Sequence, residues 1–314
     1  MQDADLDEGA ESTARIALVF SWATRKYLQA DVKGMQWAEE FHGWARLMIE
    51  EHLPFDILVA ERIAAPEALA KYDLIVLPNT AYLSDRCCEA LRGYVRQGGR
   101  VLATAETSRY TETGAPRDDF ALADVLGIAH RGSVDGPFAI SGHSEPEPAM
   151  GCVQQVAVVG QTLAFMVSVD PAGSVSGDAD PMPLEPTAWP VFVRRRFGAG
   201  QSLYAAFAIG RYYTLYGYQH IGVRMRELLD ALLPTRQVAT NAPRTVEVTV
   251  WRQPALPARS SIWPTAVHRG RCRRRRARTR RFSPHSQCGS SDDRAVCQGA
   301  GFRARRRGQR PAGR

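Results

Sequence analysis

The sequence predicts an α/β protein with a doubly wound, mostly parallel sheet and β-hairpin additions. Short apolar runs alternate with amphipathic stretches between Arg15 and Leu126, and the connections between them are short. After Gly132 this alternation gives way to paired, strand-like segments. The 314 residues, 45% of them hydrophobic, are enough for one large domain or two smaller ones.

Four buried strands are predicted in the first half of the chain. Each is a short apolar run of the kind found in parallel sheets, where helices cover both faces. The four runs are Arg15–Trp22, Phe55–Ala60, Leu74–Pro78 and Arg100–Ala105. Ligands of such sheets bind at the carboxyl ends of the strands, so any site is expected at that edge.

Helical patterns separate these strands. Lys33–His52 carries an apolar stripe, Pro66–Lys71 begins with a proline that suits a first helical turn, and Phe120–Leu126 forms a short third pattern. Ser84 is expected to cap a further helix that ends at Gly98. The repeated strand–helix order predicts right-handed crossovers, with helices on both faces of the sheet.

The second half is predicted to contain more strands than helices. The predicted elements are a hairpin of Val153–Gly160 and Thr162–Val169, a hairpin of Val191–Phe197 and Ser202–Ala208, a helix over Arg211–Leu233 and a strand over Thr245–Trp251. The sheet is therefore expected to be mixed.

The charge is divided unevenly along the chain. The net charge is +7, but the segment from Arg252 to Arg314 contains 18 Arg, no Lys and two Asp, which gives +16. Residues 1–251 hold 22 basic and 31 acidic residues, which gives −9. Any affinity for nucleic acid is therefore expected of the tail alone.

The tail has no helical or alternating period that would bury a face. Three readings stay open: a frameshift, a disordered tail, or an arginine-rich arm that binds nucleic acid non-specifically. The frameshift is favoured, because the 22 basic residues of the body are 19 Arg and three Lys, a bias expected of a GC-rich gene.

Several short motifs occur in an order that resembles a known family. They are FSW at the first strand, GMQWAEEFHGWARLM in the first helix, then YDLIVLP, YVRQGG, RRFGAGQSLY and TVEVTVW. Together they resemble the β-galactosidase trimerisation domain, which is a glutamine-amidotransferase-like domain. The resemblance covers Ala14 to Trp251 and implies a flavodoxin-like, class I amidotransferase-like sheet.

The resemblance also implies a function. In that family the domain follows the TIM barrel of a glycoside hydrolase and precedes a small β domain. No barrel precedes it here, so the chain resembles a fragment of a β-galactosidase-like hydrolase of carbohydrate metabolism. The implied role is non-catalytic trimerisation or support. The implied partners are further copies, as a homo-trimer, or a TIM-barrel hydrolase domain.

Four segments are expected from these patterns. They are an acidic, disordered N-terminus (1–13), an amidotransferase-like α/β domain (14–235), a linker with the first strand of a truncated β domain (236–251), and a disordered Arg-rich tail (252–314). A cytoplasmic location is expected, since no apolar run reaches the ~18–20 residues of a membrane helix and the acidic N-terminus is unlike a secretory signal.

No catalytic residue is predicted. Amidotransferase chemistry needs a Cys at a sharp strand-to-helix elbow, with His and Glu beside it. That position reads Ala105–Glu106–Thr107. Cys87 and Cys88 lie on the preceding helix and Cys152 begins a strand, so all three are expected to be structural.

No cofactor is expected either, because residues 1–251 contain no GxGxxG motif and no P-loop lysine. No metal is expected, because the acidic loop pairs Asp118–Asp119 and Glu145–Glu147 are more often solvated than metal-binding. Two alternative functions stay open. One is a stand-alone amidotransferase-like hydrolase that uses Cys152 or an unrecognised nucleophile. The other is nucleic-acid binding through the basic tail.

Two groups of residues are candidate sites. Trp22, Glu106 and Arg109 follow the first and fourth strands and are predicted to lie on one rim, where Trp can stack on a sugar and the charged groups can bond its hydroxyls. Local packing and solvation are the alternative. Aromatic residues also cluster late in the domain and predict either a subunit interface or core packing. The interface candidates are Tyr212, Tyr213 and Tyr216.

Overall fold

A nine-stranded mixed sheet with flanking helices organises the computed structural model. The structure describes residues 9–28, 33–141, 146–168, 185–233, 235–252, 260–266 and 295–296. Within these residues the strands and helices occur in the α/β order that the sequence predicts, and the mixed sheet with its parallel part is confirmed.

The described strands are β1 (Glu11–Ser12), β2 (Ile16–Phe20), β3 (Phe55–Val59), β4 (Leu74–Leu77), β5 (Arg100–Thr104), β6 (Ile128–Ile140), β7 (Glu147–Val158), β8 (Gln161–Ser168), β9 (Glu185–Phe197), β10 (Gly200–Ala205), β11 (Val238–Ala239), β12 (Val246–Arg252), β13 (Ser260–Ala266) and β14 (Ala295–Val296). The described α-helices are α1 (Trp22–Leu28), α2 (Lys33–Glu50), α3 (Asp85–Arg96), α4 (Ala123–Leu126), α5 (Ile209–Tyr216) and α6 (Gln219–Asp230). Two short 3₁₀ helices are Ala60–Ala64 and Pro66–Ala68.

The main sheet has the order β3-β2-β4-β5-β10-β9-β8-β6-β7. The first five strands are mutually parallel, and counted along the chain they follow the order 2-1-3-4-5. The remaining strands pair antiparallel with their neighbours. The sheet is therefore a parallel half, which positions the candidate rim, joined to an antiparallel half.

The core follows the register of the parallel strands. Leu18 pairs with Val76 and Val76 pairs with Leu102, so the three side chains form a row across β2, β4 and β5. Each is at most 1% exposed. Trp44 and Met48 of α2 are fully buried in the same cluster. Each such side chain contributes about 1.5–3 kcal/mol of transfer free energy, which is the main stabilisation of this half.

Two predicted local features are confirmed. The Ser84 hydroxyl accepts a hydrogen bond from the Cys87 amide at 3.2 Å and caps α3. The hairpin of β9 and β10 forms around Gly198, whose φ is 60°. A Cβ at that glycine would lie 2.6 Å from the Arg96 carbonyl oxygen, so both the conformation and the close approach favour glycine.

The first predicted hairpin of the second half is wrong. Its segments form β7 and β8, but both pair with β6, which lies between them in the sheet. The sequence pattern missed β6 because Gly132, Gly136 and Pro137 interrupt its apolar alternation. Both glycines have positive φ, 143° and 140°, and one lies at a β-bulge.

The single helix predicted over Arg211–Leu233 is also wrong, since the structure divides it into α5 and α6. Gly217 lies between them with φ 62°, and its amide bonds the Tyr213 carbonyl oxygen at 2.9 Å. This left-handed residue ends α5 in the way that glycine commonly ends helices.

A three-stranded sheet of β1, β12 and β13 extends into both segments for which the sequence predicts disorder. Glu11 pairs with Arg252, and β13 pairs with β12 over its full length. The added strands satisfy the backbone groups on the two edges of β12. The tail cysteines Cys272, Cys288 and Cys297 lie outside the described residues.

Among the helices that the structure describes, none is long and apolar enough to cross a membrane.

Candidate functional site

The elbow after β5 holds an alanine in a left-handed conformation. Ala105 has φ 49° and is buried. Its amide donates to the Ala205 carbonyl at 2.8 Å, and its own carbonyl accepts the Tyr204 hydroxyl at 2.7 Å. A non-glycine residue in the left-handed conformation costs ~1–2 kcal/mol of free energy, and these hydrogen bonds offset that cost. The turn thus has a sharp-elbow conformation, but a methyl group cannot act as a nucleophile.

A chain of hydrogen bonds joins this elbow to the interior. The Glu106 amide donates to the Asn79 side-chain oxygen at 3.0 Å, and the Asn79 amide donates to the Thr104 hydroxyl oxygen at 2.8 Å. The Thr104 hydroxyl in turn donates to Glu40 at 2.7 Å. Asn79 also has a positive φ, 43°, so two tight turns on neighbouring strands hold each other.

Glu40 is the buried end of this chain. Its carboxylate also accepts from the Trp44 indole at 2.8 Å and from the Arg211 amide at 2.7 Å. Burial raises the pKa of Glu40, and the hydrogen bonds from Thr104, Arg211 and Trp44 oppose the rise. Because the N-cap residue of α5, Ala208, makes no side-chain cap, Glu40 caps that helix from α2.

Sequence reasoning missed Glu40, although a signal exists. The residue lies three positions after Trp37 and four before Trp44, so a carboxylate occupies the apolar stripe of α2. A charge in a stripe that faces the core needs internal partners. That pattern predicts a buried, hydrogen-bonded carboxylate.

Trp22 lies on the rim, at the start of α1. Its side chain is 53% exposed. Its ring packs edge-on against Phe20 at 4.8 Å, and the Arg25 guanidinium lies 5.3 Å from its centroid. One edge of the indole is thus held in place, while more than half of the side chain remains available to a ligand or partner.

Glu106 and Arg109 lie at the carboxyl end of β5. The Tyr110 hydroxyl donates to Glu106 at 3.3 Å, and the Arg109 guanidinium lies 5.4 Å from the Phe120 ring. One terminal nitrogen of Arg109 is buried and has no hydrogen-bond partner within the part of the chain that the structure describes. Burial and the charge of Arg109 lower the pKa of His130, which lies in the same neighbourhood.

The two parts of the rim do not touch each other in the contacts of the described residues. Strand β4 separates β2, which leads to Trp22, from β5, which leads to Glu106. Two strand spacings put the two side chains roughly 10 Å apart along the edge. A ligand or partner surface would therefore have to span that distance to engage both.

A stack of three tyrosines bridges the gap. Tyr27 of α1 stacks on Tyr82 at 4.9 Å, and Tyr82 stacks on Tyr110 at 4.7 Å. Burial, with the nearby Glu106 carboxylate, raises the pKa of Tyr110 to about 12, so the phenol stays neutral. The stack connects the helix of Trp22 to the turn of Glu106. The sequence analysis did not predict it, because the three residues belong to different elements.

The predicted interface tyrosines differ in exposure. Tyr212 and Tyr213 are buried, at 6% and 3%, whereas Tyr216 is 45% exposed. Tyr213 donates to Glu50 at 2.5 Å and lies under the Arg46 guanidinium. Only Tyr216 of the three is therefore placed to meet a partner.

Tyr216 belongs to a larger exposed group, which we call the tyrosine patch. Its members are each between 44% and 47% exposed, and they are Met150, Leu215, Tyr216 and Tyr218. The rings of Tyr216 and Tyr218 stack at 5.5 Å with an interplanar angle of 9°, and the Tyr216 hydroxyl reaches the Met150 sulfur at 3.8 Å. A rigid aromatic surface of this kind is typical of protein contacts.

The described cysteines do not form a nucleophilic site. Cys87 is buried and its thiol donates to the Ala60 carbonyl at 3.3 Å. Burial raises the pKa of Cys88 to about 12, which suppresses the reactive thiolate. Cys152 is exposed on β7 opposite Asp135, and the Gln154 side-chain amide donates to its sulfur at 3.7 Å. Among the described residues, no group of three potential metal ligands occurs.

A known protein family matches the part of the chain that contains the rim. Residues 14–134 match the model of the β-galactosidase trimerisation domain. The resemblance predicted from the sequence is thus confirmed for the segment that holds Trp22, Glu106 and Arg109. No curated protein matches the chain.

Solved structures share the fold. The β-galactosidase of Bacillus circulans sp. alkalophilus is 19% identical with a TM-score of 0.61, and the match covers 81% of this chain and 35% of that one. The α-L-fucosidase isoenzyme 2 of Paenibacillus thiaminolyticus is 17% identical with a TM-score of 0.61, covering 81% and 38%. The β-galactosidase of the haloarchaeon Halorubrum lacusprofundi is 16% identical with a TM-score of 0.56, covering 80% and 36%.

The chain therefore spans little more than a third of the length of these three structures. At such low identity the likeness shows the fold alone. It extends beyond the segment that the family model matches, since it covers about four fifths of the chain.

Proposed function

We propose that this chain is the oligomerisation and support domain of a glycoside hydrolase related to β-galactosidases, with no catalytic site of its own. The observation that carries the proposal is Ala105, which occupies the elbow where a class I amidotransferase needs a cysteine. The family match of residues 14–134 supplies the oligomerisation role. The 2-1-3-4-5 order of the parallel strands supports a flavodoxin-like, amidotransferase-like sheet.

The parent reaction would be hydrolysis of a glycosidic bond by two carboxyl groups on a TIM barrel. Such pairs lie about 5–9.5 Å apart and flank the scissile bond. Glu106 is hydrogen-bonded to Tyr110, and Glu40, which supports the elbow from the core, is fully buried. Neither is arranged for that chemistry, so the barrel would have to supply both carboxyl groups.

Hydrolysis of a nitrophenyl β-galactoside by the full chain tests the catalytic part of the proposal. We expect no turnover above buffer, and no difference between the wild type and Glu106→Gln. Turnover that Glu106→Gln abolishes would show that the rim is itself catalytic. An acyl adduct on Cys152 after incubation with an activated amide, seen by mass spectrometry, would instead favour the amidotransferase-like alternative.

We also propose that the rim faces the sugar-binding side of the parent hydrolase. The exposed indole of Trp22 offers a stacking face, and Glu106 and Arg109 offer groups that bond hydroxyls. Saturation-transfer NMR with galactose tests this on the full chain. We expect a signal that Trp22→Ala removes and that Trp251→Ala, a control at an exposed tryptophan on β12, retains. Equal signals from both variants would count against a sugar-facing rim.

A further inference from the structure

A polar groove lies at the amino ends of the parallel strands, whereas the rim lies at their carboxyl ends. It is a groove of about 1410 Å³ between the C-terminal half of α2, the α5–α6 pair and the segment 236–245. Its lining includes His52, which lies in the turn just before β3 and hence at the amino ends of the strands. Nothing in the proposed support role uses this groove.

The groove is positively charged on an otherwise acidic body. Four arginines line it, against two carboxylates, Glu50 and Glu51. The arginines are Arg46, Arg226, Arg236 and Arg244. Residues 1–251 together carry −9, so this concavity has an excess of arginines on a body that is acidic as a whole. Concave surfaces of one sign concentrate ligands of the other sign.

Three of these guanidinium groups surround one carboxylate. Arg244 lies 2.7 Å from Glu51, within hydrogen-bond distance, whereas Arg226 and Arg236 lie at 3.6 Å. Asp230 takes the stronger bond of Arg236, at 3.0 Å. Arg244 is therefore paired closely with Glu51 and Arg236 with Asp230, whereas Arg226 has only its 3.6 Å approach to Glu51.

Arg226 is the least satisfied of the three. It donates no hydrogen bond to any residue that the structure describes, and its side chain is 37% exposed. Its terminal nitrogen and that of Arg244 approach the same Glu51 oxygen, so the two guanidinium groups lie side by side at the groove. Paired guanidinium forks match the oxygens of a phosphate or carboxylate group.

We propose that this groove binds a small oxyanion, a molecule carrying a phosphate or carboxylate group, through Arg226 and Arg244. Glu51, only 11% exposed, holds the two forks in position from beneath. A purely structural role, in which the arginines fasten the segment 236–245, accounts for Arg236 and Arg244. Arg226 lies on α6 and approaches only Glu51, at 3.6 Å, which is beyond hydrogen-bond distance, so its N–H donors remain available to a ligand.

Titration of the full chain with inorganic phosphate tests the proposal. Chloride is exchanged for phosphate so that the ionic strength stays constant, and binding is followed in every variant by isothermal titration calorimetry and by the melting temperature. We expect saturable binding, with affinity at least tenfold weaker in Arg226→Gln and partly restored in Arg226→Lys. A parallel titration with glucuronate shows which of the two oxyanions the groove prefers.

The tail provides other arginines, so a matched control is needed. Arg86→Gln removes an exposed arginine of α3 that makes no ion pair among the described residues, and it should bind phosphate as the wild type does. If Arg226→Gln fails to fold, as judged by circular dichroism, Arg244→Gln replaces it with the same expectation. Binding that is equal in the wild type and the folded variant, or absent in the wild type, would overturn the proposal.

Discussion

At the scale of single residues, Glu40 connects the core to the rim. Its carboxylate holds Thr104, 64 positions away in sequence, and the Arg211 amide, 171 positions away. Thr104 then fixes Asn79, which fixes Glu106. The conformation of the elbow therefore depends on a buried carboxyl group that lies on a different element.

This arrangement predicts a pH dependence of stability. Because burial raises the folded-state pKa of Glu40 above the ordinary glutamate pKa of 4.5, the folded chain retains this proton where the unfolded chain has lost it. Stability from this group is therefore fully present below pH 4.5 and is lost as pH rises through the raised pKa. Urea unfolding of the wild type and Glu40→Gln should be measured at several pH values. As pH rises, the free energy of unfolding of the wild type should fall relative to that of Glu40→Gln.

The matched control is Glu61→Gln, at an exposed position on a 3₁₀ helix. Its stability curve should run parallel to that of the wild type across the same pH range. A constant difference between the wild type and Glu40→Gln would mean that Glu40 does not titrate in the folded chain over that range.

At the scale of elements, the contact between α2 and α5 depends on two glycines. A Cβ at Gly43 would overlap the Gly210 carbonyl, and a Cβ at Gly210 would lie 2.5 Å from the Glu40 carbonyl oxygen. The close approach of these helices brings the α5 amides to the Glu40 carboxylate. The glycines therefore support the cap as well as the packing.

Two alanine substitutions separate packing from helix propensity. Gly43→Ala should lower the free energy of unfolding by about 1–3 kcal/mol or more, since backbone has to move. Gly93→Ala, within α3 with nothing near its missing Cβ, should raise it by about 0.5–1 kcal/mol. Chemical denaturation measures both. Similar values for the two variants would contradict the close contact between α2 and α5.

The sequence predicted the elements that obey a simple period and missed those that depend on distant partners. The strands β2 and β4 are continuous apolar runs, β3 and β5 are mostly apolar, and α2 has a clear apolar stripe, so local patterns are sufficient to predict them. The glycines within β6 and between α5 and α6 have positive φ, which residue type alone does not reveal. The tyrosine stack and the Glu40 cap join residues far apart in sequence, so no local pattern contains them.

At the scale of the whole molecule, the charge separates into an acidic body and a basic tail. Sixteen of the 18 tail arginines follow Ala266, the last residue of β13. The body should repel phosphate backbones, apart from the arginine groove. Affinity for nucleic acid should therefore come from the tail through counterion release, with strong salt dependence and no sequence preference.

Truncation after Ala266 tests this separation. We expect the melting temperature to change by less than about 4 °C, because the described residues that are removed form only the two-residue strand β14, which pairs with β11. A shift of roughly 2–4 °C corresponds to about 1 kcal/mol in a protein of this size. Filter binding to DNA should disappear. A fall of 10 °C or more would mean that the tail packs on the body, and sequence-selective binding that survives high salt would contradict the counterion account.

If the chain supports an assembly, the particles that it forms in solution should be heavier than a single chain. Sedimentation equilibrium at micromolar concentrations should give three times the 34.7 kDa of one chain. The double variant Tyr216→Ala and Tyr218→Ala should shift this mass towards that of one chain, while Trp251→Ala should leave it unchanged. A wild type that sediments as a single chain at every concentration would contradict the account.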